Sequence, residues 1–136
     1  MYLLDTNVVS EIRKLKPHGA VISWLEATPA TQVFICALVV GELQTGPEKT
    51  RKQDLPKAQE IENWIDRVCA VYEVIPMQAA EFREWARLMV GKSDDLTRDA
   101  MIAATARVHR LTVVTRNTKD FRHFPVETFN PFQYKQ

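Results

Sequence analysis

Apolar positions alternate along the chain between short continuous runs and longer stretches in which they recur every three or four residues. This is the strand–helix alternation of an α/β domain with a mostly parallel sheet of four to five strands. The run at residues 2–4 predicts a first strand, after which Thr6 or Asn7 can cap a short helix reaching Leu15 and ended by Pro17. A second short helix is expected over 20–27, with Val21, Trp24 and Leu25 on one side. The run at 33–36 predicts a second strand leading directly into a helix through Leu43 that closes at Gly46-Pro47, with a polar loop over 48–52. From Leu55 onward Ala58, Ile61, Ile65 and Val68 recur at helical spacing and predict a long amphipathic helix. Residues 71–75 predict a third strand, stopped by Pro76, and Ala79, Phe82, Ala86 and Met89 a helix ending at Gly91. A short connection over 92–96 precedes an alanine-rich helix over 99–109, a fourth strand over 111–114, a polar turn over 115–120 and a short edge strand over 126–129.

No repeat, linker or low-complexity tract interrupts this pattern, so residues 1–136 are expected to form a single domain with one core. The composition, 46% hydrophobic and 26% charged, argues against disorder. A net charge of +1 gives no overall field to draw in phosphates, so any nucleic-acid binding must come from a local patch. Cys36 and Cys69 lie far apart, with no CxxC and no nearby histidine, and are expected to be buried reduced thiols. The opening Met1-Tyr2-Leu3-Leu4 is cut short by Asp5, well below the apolar region of a signal peptide, and no apolar stretch approaches a membrane span. A cytoplasmic protein without membrane contact is expected.

In open parallel sheets, binding sites form beyond the carboxyl ends of the strands, near the point where strand order reverses. The polar residues falling there are Asp5-Thr6-Asn7 after the first strand, Glu42 beyond the second, and 115–120 after the fourth, with Asp99 at a helix start. Asp5 alone reads equally well as a helix cap, and Asp99 as a carboxylate favoured by a helix dipole. Asp99, however, shares a face with Ile102, Ala103 and Ala106, which should pack on the sheet and put the carboxylate at the edge of the core. Glu42 follows Leu38 and Val39 on its helix, and neither Glu42 nor Asp99 has a Lys or Arg three or four residues away. Burying unpaired carboxylates is costly, and one metal ion would answer for all three. Oxygen-only ligation suits Mg²⁺ or Mn²⁺, the equipment for hydrolysing a phosphodiester. Thr6, Asn7, Thr115 and Asn117 are expected to orient the metal's waters or the scissile phosphate.

Leu3-Leu4-Asp5-Thr6-Asn7, Val40-Gly41-Glu42-Leu43, the stretch from Asp99 to Ala106 and the stretch from Val114 to Phe121 resemble, in sequence and order, the PIN-domain family. They are similar within it to the VapC toxins of prokaryotic type II toxin–antitoxin systems, and Phe129-Asn130-Pro131-Phe132 resembles the FitB-like branch. The resemblance implies an α/β/α sandwich, a ribonuclease using one or two Mg²⁺ or Mn²⁺ ions, a homodimer, and a cognate VapB- or FitA-like antitoxin that also binds DNA. It assigns Asp5, Glu42 and Asp99 to the acidic metal-site positions, Thr6 and Asn7 to the polar pair after the first Asp, and Thr115 to the hydroxyl after the last core strand. Two departures stand out. The fourth acidic position is filled either by Asn117, which is no acid, or by Asp120, which alternatively caps the following turn. Cys36 and Ala37 stand where a small hydroxyl residue commonly precedes the Glu-bearing helix.

The expected reaction is in-line hydrolysis of RNA, leaving a 5′-phosphate and a 3′-hydroxyl, with Asp5 and Asp99 binding the cation and Glu42 completing the site. Arg13, Lys14, Arg116 and Lys119 are candidates to grip flanking phosphates, or else solvated surface charges. Trp24, Trp64 and Trp85 read better as packing residues than as base-stacking platforms. Two rivals remain. An acidic-site phosphatase or receiver-like phosphotransfer domain lacks support, because Asn7 stands where a second Asp is wanted and residues 1–11 lack a paired acid. A catalytically weak or inactive fold kept for binding a DNA-associated partner is the other.

Overall fold

The computed structural model describes all 136 residues. Five strands, β1 (Tyr2–Leu4), β2 (Val33–Cys36), β3 (Glu73–Ile75), β4 (Thr112–Val114) and β5 (Thr128–Phe129), form one sheet in the order β3-β2-β1-β4-β5. Every neighbouring pair is parallel. Leu3 lies opposite Phe34 on one side and Val113 on the other, so β1 is the central strand. Adjacent strand residues face opposite sides of a sheet, and both Leu3 and Leu4 are fully buried, so helices cover both faces. The result is the three-layer α/β/α sandwich expected from the sequence.

The helices are α1 (Thr6–Arg13), α2 (Gly19–Ala27), α3 (Ala37–Thr50), α4 (Leu55–Val71), α5 (Ala79–Met89) and α6 (Thr97–His109), with α3 packed on α4 and α5 on α6. The small side chains of Ala100, Ala103, Ala104 and Ala106 are all buried, which lets α6 lie close against its neighbours. Ile102, Ala103 and Ala106 join the main core, as the shared face with Asp99 predicts. The helix ends on Arg110, a non-glycine residue held in the left-handed region at φ 57°, where Leu111 N–H bonds back to the Ala106 carbonyl.

The chain steps outward from β1 through β2 to β3, then places β4 and β5 on the opposite side of β1. Strand order therefore reverses between β1 and β4, and a crevice opens beyond their carboxyl ends.

Several expected bounds shift: the first helix ends at Arg13 rather than Leu15, and Val71, expected to open the third strand, closes α4 instead. The helix predicted to close at Gly46-Pro47 continues to Thr50, through Pro47. Pro47 is buried, and α3 packs along α4, which outweighs the backbone hydrogen bond the proline cannot donate. The loop expected over 48–52 is correspondingly helical in its first part, and Arg51 ties it down by ion pairs to Glu48 and Glu62. Cys36 is buried as expected, but Cys69 is only half-buried, because the face of α4 that carries it lies at the edge of the core; both are free thiols.

Candidate active site

Asp5 follows directly on β1 and is 2% exposed. Its backbone N–H extends the β1–β4 ladder to the Val114 carbonyl, which fixes where the carboxylate emerges. One carboxylate oxygen, Oδ1, accepts the Thr6 N–H at 2.8 Å and so caps α1. The other, Oδ2, accepts the Thr115 hydroxyl at 2.9 Å and the Asn7 amide at 3.2 Å. Asn7 also donates to Thr115 Oγ1 at 3.3 Å, and its own oxygen accepts the Arg116 N–H at 3.2 Å. The capping and functional readings of Asp5 are thus not alternatives; one oxygen caps while the other is locked by the residues after β4.

Glu42, on the second turn of α3, and Asp99, in the first turn of α6, converge on Asp5. Their common partner is Arg98. Its Nη2 donates to Asp5 Oδ1 at 2.6 Å and to Glu42 Oε1 at 2.9 Å, its Nε to Glu42 Oε2 at 2.5 Å, and its Nη1 to Asp99 Oδ1 at 2.7 Å. Nη2 also reaches Thr6 Oγ1 at 3.0 Å, whose hydroxyl in turn donates to Glu42 Oε1 at 2.5 Å. The expectation that the three acids lack a protein counter-charge is therefore wrong. Arg98 adjoins Asp99 in sequence, so it escapes a search for partners at helical spacing, yet its long side chain folds back over the start of α6.

One guanidinium against three carboxylates leaves two negative charges uncompensated, and the groups respond unequally. Burial works to raise the Glu42 carboxyl, but the hydrogen bonds from Arg98 and Thr6 outweigh it and hold Glu42 below its ordinary value. Asp99 is pushed above its ordinary value, chiefly by burial, with the charges of Asp5 and Asp120 adding and Arg98 opposing. Burial disfavours charge on Arg98 too, yet Glu42 and Asp5 overcome it and hold the guanidinium firmly protonated. As the side chains stand, no three His, Cys, Asp or Glu residues are spaced to hold a metal ion, and the Arg98 guanidinium lies between the three acids. The donor set nevertheless suits a hard divalent cation. Four carboxylate oxygens from three chain segments already face one positive group, with a charge surplus of two.

The remaining candidates divide. Thr115 is fully buried and accepts the Asn117 N–H at 3.0 Å, whereas the exposed Asn117 side chain makes no bond to the cluster. Asp120 lies in a short 3-10 turn (Thr118–Phe121) that its side chain does not cap, and its charge acts on Asp99. Cys36 Sγ sits 3.5 Å from the buried Thr105 hydroxyl, in the core rather than at the site. A cavity of about 220 Å³ adjoins the cluster, lined by Thr6, Glu42, Ser10, Arg13, Thr45 and Trp64 among others. Arg13 thus reaches the site's flank. Lys14 is occupied by Glu11 at 2.8 Å, Arg116 lies over the Phe132 ring at 4.5 Å, and Lys119 is exposed. Trp24 is buried against Tyr2 and Trp85 donates to the Thr97 carbonyl, both packing roles, while Trp64 borders the cavity.

The PIN domain family model matches residues 2–127. Two relatives align along almost the whole chain. Toxin FitB of Neisseria gonorrhoeae is 32% identical, over 97% of this chain and 99% of its own. VapC ribonuclease Y4jK of Sinorhizobium fredii is 30% identical, over 98% and 99%. Among solved structures, FitAcB from Neisseria gonorrhoeae superimposes with a TM-score of 0.87 at 30% identity, covering 98% of this chain and 99% of that one. A toxin–antitoxin complex from Klebsiella pneumoniae gives 0.74 at 26% identity, covering 96% and 98%. Fold and sequence are thus shared end to end with these proteins, and the chain belongs to the PIN-domain family.

Proposed function

We propose that this chain is a Mg²⁺- or Mn²⁺-dependent ribonuclease that acts as the toxin of a toxin–antitoxin pair. The observation that carries the reading is the convergence of Asp5, Glu42 and Asp99 on a single cationic seat at the switch point of the sheet. Asp5, Asp99 and Glu42 are the residues that would hold the ion, with Asp120 adding negative charge nearby. A divalent cation held there would supply activation of water and stabilisation of charge on a phosphoryl oxygen.

The chain's own residues supply the rest. Thr115 and Asn7 hold Asp5 Oδ2 in one orientation, and Thr6 does the same for Glu42. The adjoining cavity gives a strand of RNA a path past the carboxylates, with Arg13 on its wall to meet a flanking phosphate and Trp64 beside it. Cleavage in line leaves a 5′-phosphate and a 3′-hydroxyl. The partner proposed is an antitoxin of the kind its relatives' names imply, and a second copy of the chain completes a homodimer. No helix is long and apolar enough to cross a membrane.

The test is cleavage of RNA by the purified chain, with Mg²⁺, with Mn²⁺ and with chelator, beside Asp99→Asn. Metal-dependent cleavage lost in the variant is expected; equal cleavage by Asp99→Asn sinks the assignment. A second reading, a weak or inactive module that works by binding its partner, draws on the guanidinium seated among the acids. It gains if the partner-free chain binds Mn²⁺ and cuts no RNA.

A further inference from the structure

A cation in the first turn of a helix sits at the positive end of the helix dipole, so Arg98 is placed against the local electrostatics of α6. What holds it there is its set of bonds to Asp5, Glu42 and Asp99. Those bonds use both oxygens of Glu42 and one of each Asp. The second oxygen of Asp5 is taken by Thr115 and Asn7, which leaves Asp99 Oδ2 as the carboxylate oxygen with no hydrogen bond. The guanidinium occupies the space between the three carboxylates, so a divalent ion bound by more than one of them cannot share that seat with it. The Arg98 side chain is 36% exposed, so it can swing outward from the rim without disturbing the core.

We propose that Arg98 is the resident counter-ion of this site: it holds the three carboxylates together when no divalent cation is bound, and a divalent cation enters by displacing it. The proposal rests on the cation-site reading above and adds to it an exchange step within the chain. The Coulomb repulsion that would otherwise splay three acids is relieved by a group of the same chain, so the site stays assembled while empty. The cost is affinity. If the guanidinium is seated for 90–99% of the time, observed metal affinity falls by about ten- to a hundred-fold below the intrinsic value.

The experiment is Mn²⁺ binding by the full chain, followed by titration calorimetry or by the electron-spin signal of free Mn²⁺, in the wild type, Arg98→Gln and Asp99→Asn. Arg98→Gln is expected to bind Mn²⁺ about ten-fold tighter or more. Without metal it is expected to melt at a lower temperature than the wild type, and saturating Mn²⁺ is expected to restore it. In the wild type, the Arg98 Nε–H resonance is expected to move, on adding diamagnetic Mg²⁺, to the position of a solvent-exposed arginine. Equal or weaker Mn²⁺ binding by Arg98→Gln, or an Arg98 resonance unmoved at saturating Mg²⁺, overturns the exchange while leaving the cation site standing. If Asp99→Asn binds Mn²⁺ like the wild type, or no protein binds it, the cation site itself falls and the exchange with it.

Discussion

Arg98 Nη2 lies 2.6 Å from Asp5 Oδ1 although 93 residues separate them in sequence. The contact joins the head of α6 to the end of the central strand, and the buried alanines of α6 let the helix lie close to its neighbours. A bulkier face would hold the helix further out and leave the guanidinium short of Asp5. Packing in the helix layer and electrostatics at the rim are therefore one arrangement.

That dependence is testable from the core side. Ile102 is fully buried one turn below Asp99. Ile102→Ala should cost about 2–5 kcal/mol of stability by leaving a cavity. Cleavage measured on the folded fraction should also fall, because the first turn of α6 loses its seat. A variant destabilised to that extent but fully active per folded molecule would show that the rim is held independently of the core.

The Thr115 hydroxyl is the only one bonded to Asp5 Oδ2. Thr115→Val keeps the shape and removes that donor, leaving Asn7 as the sole group holding the oxygen. We expect a loss of about 1–3 kcal/mol in denaturant unfolding and a fall in cleavage of about ten-fold or more. Unchanged activity would remove Thr115 from the site.

Glu81 offers a pH-dependent clasp remote from the carboxylate cluster. It closes a capping box at the start of α5, accepting the Gln78 N–H at 2.9 Å, and meets His109 Nε2 of α6 at 2.7 Å. Burial tends to raise its carboxyl, but the backbone N–H groups and His109 prevail and hold it below the ordinary 4.5. A depressed folded-state value means stabilisation that is present above 4.5 and lost as pH falls through the lowered value. Glu81→Gln should therefore be less stable than the wild type by about 1 kcal/mol near neutrality, with the gap closing in acid. Urea unfolding at several pH values measures it; a gap that widens below pH 4 would reverse the sign.

Arg110 carries strain that no functional contact requires. Its left-handed backbone at φ 57° suits glycine. Arg110→Gly should stabilise the protein by about 0.5–1 kcal/mol and leave cleavage unchanged, read as a raised melting temperature beside an unaltered rate.

Much of this was legible in the pattern of residues, and the failures have physical causes. The strands are short apolar runs that end where the sheet ends, so 33–36 is read to the residue and Asp5 and Thr115 are each placed just beyond a strand, while the adjacency of those two strands emerges only from the fold. Pro47 misleads because a proline's local penalty can be outweighed by burial against α4, which no local rule anticipates. Arg98 is missed for a different reason. A guanidinium's reach depends on the tertiary course of its neighbours, and nothing in the spacing says that it bends back toward Asp5. The available signal was a misplaced charge: an arginine in a helix's first turn, next to an acid, contradicts the dipole and asks for an external partner.

The strand order carries one more consequence. The acids come from β1, α3 and α6, and the hydroxyl that aligns Asp5 comes from the end of β4, which must slot in beside the first strand. A chain still emerging from the ribosome, with β1 to β3 already made, has two of the acids and no site. The site proposed here would thus stay incomplete until the last core strand is in place beside the first.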